Sequence, residues 1–208
     1  MSSAEPELGS ARVVFQTDYG DIEFGFYPSV APRTVDHIFK LVRLGGYNTN
    51  HFFRVDKGFV AQVADVAGGR SAPMNEEQRA EAEKTVIGEF SNVKHVRGIL
   101  SMGRYSDPNS ASSSFSILLG DAPHLDGQYA VFGKVTKGDD TLKKLEQVPT
   151  RTEGIFVMVC VYLAGGCALT CKLMKMNDFH ACIPGSLYWT QCTHTTNWFI
   201  IVWDLNFF

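Results

Sequence analysis

The sequence carries little positive charge and no visible export signal. Its 208 residues have a formal net charge of -3 and an isoelectric point near 6.1, so it lacks the basic surface that phosphate neutralisation requires. Nucleic acid is therefore excluded as a partner. The first ten residues carry two acids and no apolar run, which predicts a cytoplasmic protein as written. A longer precursor would instead make it secretory or membrane-associated.

Cysteine and tryptophan are absent from the first 158 residues, and charged residues become scarce after them. All five cysteines and all three tryptophans lie beyond Met158, whereas only four charged residues do. This shift predicts three parts: a flexible N-terminus at 1–11, a folded domain at 12–158, and an atypical Cys- and Trp-rich tail at 159–208. We expect the tail to be a variant or poorly ordered terminus, such as an alternatively spliced end.

The tail lacks the patterns that would assign it a role. Cys167, Cys171 and His180 have no paired C-x-x-C spacing, so no metal site is predicted. The interval 154–170 is the best candidate for a membrane span, but it is shorter than the roughly 20 apolar residues that a span needs. A run at 155–163 could instead form a strand. Without its pairing, the first strand would become an aggregation-prone edge.

Short β-rich runs separated by turn residues fill the front part of the chain. They cover residues 12–17, 21–27, 52–55, 59–63, 98–102, 115–119 and 130–135. Only two principal helices accompany them. The first follows Ala31-Pro32 and ends at Gly45-Gly46, and the second covers 139–148. This combination predicts an all-β barrel or sandwich with two capping helices.

A polar stretch at 68–84 separates the central strands from the later ones. Asn75 is a good helix N-cap and precedes Glu76-Glu77, which predicts a short helix. The acids of this stretch are expected to form a solvated face rather than a site.

The most informative stretch is 51–65, where the turn Asp56-Lys57-Gly58 joins two apolar runs. Strand alternation places Arg54 opposite to Phe53 and Val55, and likewise lifts Gln62 above an apolar floor. Fixed hydrogen-bond donors above such a floor suit a site that grips a peptide backbone. The alternative is an ordinary surface arginine on a sheet.

Six blocks stand in the order and at the spacing of one family. They are Thr17-Asp18-Tyr19-Gly20-Asp21-Ile22, Ala31-Pro32-Arg33-Thr34-Val35, Gly46-Tyr47, Phe53-Arg54-Val55 with Gly58-Phe59 and Gln62, Gly98-Ile99-Leu100-Ser101-Met102, and Val131-Phe132-Gly133-Lys134-Val135. Over about residues 12–157 they resemble the cyclophilins, and the closest likeness is to short bacterial-type and plant members. The resemblance implies a closed eight-stranded antiparallel barrel with a helix over each mouth, and peptidyl-prolyl cis-trans isomerase activity. It implies no cofactor, a monomer, and proline-containing peptides or unfolded protein clients as partners.

The resemblance also implies roles for individual residues. Arg54 stands at the family's position for the donor that stabilises the twisted amide, and Phe59 at the floor of the proline slot. Val60 and Leu125 would form its walls, and Gln62 would orient the substrate backbone or Arg54. Further substrate-binding positions implied by the family are Met102, Gly103, Ser114, Ser116, His124 and Tyr129.

Four of these positions depart from the family pattern. Ser114 and Ser116 stand where glutamine and phenylalanine are usual, His124 where tryptophan is frequent, and Tyr129 where histidine is usual. Loss of a buried phenylalanine side chain removes roughly 1.5 to 3 kcal/mol of apolar binding, so slow catalysis and poor affinity for cyclosporin-like ligands are expected. His124 is expected to be a surface histidine, since amide rotation needs no proton transfer. No motif supports a Ser-His-Asp arrangement.

The alternative function is a cyclophilin-like module that binds proline segments without catalysing their cis-trans isomerisation.

Overall fold

The structure, a computed structural model, describes residues 5–148 and, as backbone, residues 157–163. The strands of this part are β1 (Arg12–Thr17), β2 (Gly20–Phe26), β3 (Asn50–Asp56), β4 (Val60–Val63), β5 (Ile99–Met102), β6 (Phe115–Leu118), β7 (Val131–Lys137) and β8 (Val157–Leu163). Their order across the sheet is β1-β2-β7-β5-β6-β4-β3-β8. Every pair is antiparallel. All predicted strands are confirmed, with bounds shifted by two residues at most.

Seven of the strands, between residues 12 and 137, form an antiparallel half-barrel. The backbone of β8 pairs with β1, where Phe15 lies opposite Val161, and with β3, where His51 lies opposite Met158. The run predicted at 155–163 is therefore a strand from residue 157 onward. The rest of the tail, and with it the expectations about its metal ligands, lies outside the described residues.

The helices are α1 (Pro32–Arg43), α2 (Val66–Gly69), α3 (Glu76–Ala82) and α4 (Asp139–Leu145), and a 3₁₀ turn covers Pro123–Leu125. Both principal helices are confirmed as α1 and α4. The N-cap at Asn75 is also confirmed: its side chain accepts from the backbone N–H of Gln78 at 2.8 Å. The Gln78 side chain in turn accepts from the Asn75 N–H at 3.0 Å, which completes a capping box.

The expectation of a fully solvated acidic face on α3 is wrong at Glu81. This residue is only 5% exposed. Its carboxylate is 3.0 Å from His37 Nδ1 and 2.8 Å from Lys40 Nζ of α1, and 2.7 Å from Lys84 Nζ. Glu81 thus joins α3 to α1 through charge-assisted hydrogen bonds. Helical periodicity alone did not reveal a partner from a helix 44 residues away in sequence.

Aromatic rings fill the interior of the sheet. Phe15 and Phe24 lie 4.8 Å apart in an edge-to-face arrangement, and Phe115 and Phe132 lie 5.5 Å apart in another. The buried Tyr47 hydroxyl donates to the Ser113 carbonyl at 2.7 Å, which satisfies its polar end. The aromatic side chains fill the inner face, whereas Arg54 on β3, Gln62 on β4 and Ser116 on β6 lie on the outer face and are at least partly exposed.

A second, smaller apolar cluster lies apart from this interior. Its buried members include Val60, Leu118 and Val131, and Phe59 and Leu125 pack on it partly buried. The cluster anchors the β3–β4 turn to the segment around the 3₁₀ turn. Phe59, Val60 and Leu125, which the family resemblance assigned to the proline slot, all belong to this cluster.

No helix among the described residues is long and apolar enough to cross a membrane. Most of the interval 154–170, the candidate span, falls outside those residues.

Candidate active site

The turn between β3 and β4 sets the position of Phe59. The Phe59 N–H donates to the Asp56 carbonyl at 2.9 Å, and Gly58 adopts a φ of 72°, which this turn requires and glycine adopts without strain. The Phe59 carbonyl then accepts from the Leu119 N–H at 2.9 Å. The backbone of Phe59 is therefore held on both sides, and its ring has a defined place beside β3.

A bulge in β3 corrects the predicted alternation at Phe53. The β3–β4 register shifts between Phe52 and Arg54, and Phe53 is 38% exposed rather than facing the interior. Phe52 and Val55 are the buried residues instead. Arg54 remains directly opposite Gln62, so both side chains project on the same, outer face as predicted.

Arg54 lies over the ring of Phe59. Its Cζ is 5.5 Å from the ring centroid, within the range of a cation–π contact. Its Nη2 donates to Asp56 Oδ2 at 3.1 Å, and about half of each side chain in this ion pair is exposed. The guanidinium thus stands at the edge of an apolar surface with donors still accessible to solvent.

The expected walls of the proline slot come together around Phe59. Val60 is buried and Leu125 half-buried in the same apolar cluster. The His124 ring lies 5.5 Å from the Phe59 ring at an angle of 31°, although His124 itself is exposed. The surface histidine of the sequence prediction therefore still covers part of the slot.

Gln62 is held by Ser114. Its Nε2 donates to Ser114 Oγ at 3.3 Å, and that hydroxyl donates to the Val63 carbonyl at 2.8 Å. Gly103 closes this corner, because its N–H donates to the Ser114 carbonyl at 2.8 Å. A Cβ at position 103 would come within 3.2 Å of Gln62 Nε2, so the absence of a side chain leaves room for Gln62.

A groove of about 470 Å³ runs beside this corner. Gln62, Gly103 and Ser114 are among its lining residues, and Gln62 lies directly opposite Arg54 in the β3–β4 pair. Its remaining lining residues include His51, Phe53, Asp65, Arg104, Tyr105 and Ser112. The groove therefore adjoins the slot on the side of Gln62.

The structure places the remaining predicted site residues differently. Ser116 lies directly opposite Gln62 on the outer face, as predicted. Tyr129 is half-buried and stacks under Arg104, whose Cζ is 4.5 Å from the ring centroid. Met102 is 3% exposed and belongs to the interior cluster, so its side chain is not brought to the slot or the groove.

One polar arrangement was missed by sequence reasoning. His95 Nε2 is 2.9 Å from Ser101 Oγ, and His95 Nδ1 is 3.0 Å from Asp126 Oδ1. This is a Ser-His-Asp geometry that no motif indicated, because the three residues come from β5 and from two separate loops. Ser101 and His95 are buried, at 3% and 1% exposure, so the hydroxyl is not open to a substrate as a nucleophile must be.

The pKa values of Asp126 and His95 are set by burial and by their hydrogen bonds. Burial raises the pKa of Asp126, but hydrogen bonds from the His95 backbone, Lys94 and the His95 ring outweigh it and bring the pKa to about 2. Burial lowers the pKa of His95 and outweighs the opposing effect of Asp126. Within the described residues, no group of three His, Cys, Asp or Glu side chains is placed to hold a metal ion.

Comparison with known proteins agrees with this architecture. The family model described as cyclophilin type peptidyl-prolyl cis-trans isomerase/CLD matches residues 12–160. The chain belongs to this family. Membership carries peptidyl-prolyl cis-trans isomerase activity, as the relatives below also indicate.

Two relatives show how far the similarity extends. Peptidyl-prolyl cis-trans isomerase CYP23 of Arabidopsis thaliana is 88% identical over 154 residues, which cover 74% of this chain and 68% of that protein. A probable peptidyl-prolyl cis-trans isomerase of Brucella abortus is 39% identical over 155 residues, covering 70% of this chain and 75% of the relative. Both the plant and the bacterial likeness noted in the sequence are therefore present.

Solved cyclophilin structures share the fold. A cyclophilin type isomerase of Cryptosporidium parvum matches with a TM-score of 0.64 and 27% identity, covering 75% of this chain and 98% of its own. A second structure of that protein, in the presence of the dipeptide Ala-Pro, matches with a TM-score of 0.63 and 28% identity, covering 74% and 99%. The cyclophilin fold accordingly spans the part of this chain that carries the site.

Proposed function

We propose that this isomerase accelerates X-Pro rotation by donating a hydrogen bond from Arg54 to the proline nitrogen of the twisted amide. The planar amide resists rotation by roughly 18 to 20 kcal/mol. Conjugation is lost at the twisted state, and the nitrogen regains a lone pair that can accept a hydrogen bond. A fixed guanidinium therefore binds the transition state better than the planar ground state, which is the condition for catalysis. No proton transfer, metal or cofactor enters this mechanism.

The observation that carries the proposal is the position of the Arg54 guanidinium over Phe59. A proline ring seated against the Phe59 ring would place its nitrogen beside this guanidinium, 5.5 Å from the ring centroid. The contact to Asp56 does not prevent the reaction, because an ion pair about half exposed on both sides is worth about 0 to 1 kcal/mol. Arg54 can exchange Asp56 for the substrate at little cost.

The lining of the slot supports slower catalysis than in a cyclophilin with the usual pocket residues. Phe59, Val60 and Leu125 supply its apolar contacts, and the His124 ring extends them. Ser116 supplies only a hydroxyl at the position opposite Gln62. We infer weaker proline binding than in a cyclophilin with phenylalanine there. If the loss is complete, the protein acts as a module that binds proline segments, which is the second candidate function.

The groove beside Gln62 suits the residues that precede the proline in a peptide. Gln62 stands between the slot and the groove, and its amide can orient a passing peptide backbone. The Cryptosporidium relative was solved in the presence of Ala-Pro, which supports proline-containing peptides as the partner class for this chain as well. Arg54, Phe59 and Gln62 all belong to one hairpin, so a monomer is sufficient for this site.

The sequence placed the end of the domain at residue 158, but a closed eight-stranded barrel needs all of β8, so the domain is proposed to cover residues 12–163. The pairing of β8 with both β1 and β3 supports the closure, since it leaves neither partner as an open edge. In the N-terminal segment, which the sequence predicted to be flexible, Glu5 contacts this domain. Glu5 Oε1 accepts hydrogen bonds from the Tyr27 hydroxyl at 3.0 Å and from Lys134 Nζ at 2.6 Å.

Exchange of an Ala-Pro peptide between cis and trans, measured by NMR with the full chain, tests the role of Arg54. Arg54→Ala is expected to lose about 100-fold in kcat/KM, since removal of one transition-state donor typically costs that much. Arg43→Ala is the matched control, because Arg43 also lies over a phenylalanine, 5.2 Å from the Phe39 centroid, on α1 away from the slot. Equal turnover in the two folded variants would overturn the proposal. A folded wild-type chain that binds the peptide without accelerating exchange would favour the binding module.

A further inference from the structure

A row of polar residues crosses the outer face of four strands. Arg54 on β3 is paired with Gln62 on β4, Gln62 with Ser116 on β6, and Ser116 with Ser101 on β5. Directly opposed residues of antiparallel strands project on the same face. The row therefore starts at exposed Arg54 and ends at buried Ser101, whose hydroxyl meets His95.

His95 also anchors the loop that carries two slot residues. Its carbonyl accepts from the Ala122 N–H at 2.8 Å, and its N–H donates to Asp126 Oδ1 at 2.9 Å. Between these two anchor points lie His124, whose ring covers Phe59, and Leu125, which packs on the same cluster. The buried imidazole thus touches both the end of the polar row and the base of the slot wall.

The hydrogen positions in this contact follow from the partner groups. The ionised Asp126 carboxylate can only accept, so His95 Nδ1 carries the hydrogen in that bond. In the neutral ring, Nε2 then accepts the hydrogen of the Ser101 hydroxyl. Protonation would place a second hydrogen on Nε2, and the Ser101 hydroxyl would have to turn away from the ring.

We propose that His95 is a positioning residue of the isomerase, which in its neutral form fixes the Ala122–Asp126 loop against Phe59 and holds Ser101 at the end of the polar row. It does not touch the substrate and acts through Leu125 and His124. The inference rests on the proposed role of Phe59 as the slot floor. Amide rotation itself transfers no proton. A fall of kcat/KM at low pH would therefore come from protonation of a group that positions the site, such as His95.

The charged and titratable groups around His95 are few. Asp126 faces Nδ1, Lys94 pairs with the same carboxylate at 3.0 Å, and the charge of His124 acts on His95 from the loop. Burial keeps the pKa of His95 below the ordinary value of histidine. Turnover is therefore expected to be constant at neutral pH and to fall as His95 becomes protonated in more acidic solution.

The experiment compares pH profiles of kcat/KM between pH 4.5 and 8 for full-length variants whose fold is checked by circular dichroism. His95→Asn keeps a donor for Asp126 but cannot reach Ser101, so kcat/KM at pH 7.5 is expected to fall about fivefold, mainly through KM. The acidic fall in activity should disappear in this variant and persist in His124→Asn. His37→Asn is the matched control, since His37 is also buried and paired with a carboxylate but lies on α1. It should keep the wild-type profile.

A second measurement does not depend on any variant. Nitrogen NMR of the histidine rings in the wild-type chain should show His95 protonated at Nδ1 and unprotonated at Nε2 at pH 7.5, with a titration midpoint that matches the activity profile. An acidic fall that persists in folded His95→Asn, or a charged His95 ring at pH 7.5, would overturn the proposal. Failure of the Arg54 mechanism is distinguishable, because it appears as wild-type turnover in Arg54→Ala.

Discussion

The guanidinium of Arg54 and the ring of Phe59 face each other across the β3–β4 turn, with Arg54 Cζ 5.5 Å from the ring centroid. Four residues separate them in sequence, and the turn at Gly58 brings them together. The donor and the apolar floor of the proposed slot are thus built by one hairpin. Of the slot walls, Val60 belongs to the same hairpin, whereas Leu125 and His124 come from the 3₁₀ turn.

Restoring an apolar wall at Ser116 should strengthen substrate binding. Ser116→Phe places a large ring opposite Gln62, and burying it against a proline is worth roughly 1.5 to 3 kcal/mol. We expect KM for an Ala-Pro peptide to fall by about 10- to 100-fold and affinity for cyclosporin-like ligands to rise, measured by exchange NMR and calorimetry. Ser106→Phe in the exposed loop is the control and should change neither. Unchanged KM in folded Ser116→Phe would show that position 116 does not line the slot.

Gly103→Ala should impair turnover with little effect on folding. The added Cβ would lie 3.1 Å from the Ser114 carbonyl and 3.2 Å from Gln62 Nε2, so the flexible Gln62 amide is displaced first. A several-fold loss of kcat/KM is expected in the exchange assay, with a change in the free energy of unfolding below about 1 kcal/mol. The matched control is Gly9→Ala, where the added Cβ would come equally close to a side chain, 3.2 Å from Pro28 Cγ, but outside the groove. Equal activity of both variants would remove Gln62 from the mechanism.

The ion pairs of Glu81 should make the free energy of unfolding depend on pH. Burial raises the pKa of Glu81, but hydrogen bonds from Lys40, Lys84 and His37 outweigh it and leave the pKa at about 2. Because the folded-state pKa lies below the unfolded value, this stabilisation is complete above about pH 5 and is lost as the pH falls towards 2.

Urea unfolding of Glu81→Gln tests this expectation. The variant should lose about 2 to 3 kcal/mol at pH 7 and show a flatter dependence on pH between 5 and 3 than the wild-type chain. The neighbouring exposed acid in Glu83→Gln should behave as wild type. Equal losses at pH 7 and pH 3 would mean that the charge of Glu81 is not what stabilises the contact between α1 and α3.

Closure of the sheet by β8 can be tested through the backbone alone. Val161→Pro removes an N–H in the middle of β8, opposite Phe15 of β1, and proline is poorly tolerated inside a sheet. We expect a lower unfolding midpoint and concentration-dependent aggregation as the edge of β1 becomes exposed. Leu163→Pro at the end of the strand should have a much smaller effect. Full stability of Val161→Pro would contradict the closed barrel.

The sequence by itself determined the local elements and the family. Strands and helices were predicted from apolar residues that recur every two or every three to four positions. The start of α1 was predicted from its proline, and the start of α3 from its cap at Asn75. These signals act over a few residues, so they do not depend on the tertiary structure. The blocks around Arg54 and Gly98 likewise stand in sequence order. Strand alternation predicted that Arg54 and Gln62 stand above one apolar floor, and the family resemblance added Phe59 to the same site.

Only the tertiary structure decided the contacts between distant segments. Glu81 is buried because α1 packs against it. Phe53 is exposed because β3 has a bulge opposite β4. His95 contacts Ser101 and Asp126 because three separate segments meet there. Met102 was placed among the substrate contacts by its position in a motif, yet its side chain points into the interior. Burial and hydrogen-bond pairing are set by neighbours across the fold, and spacing along the chain carries no information about those neighbours.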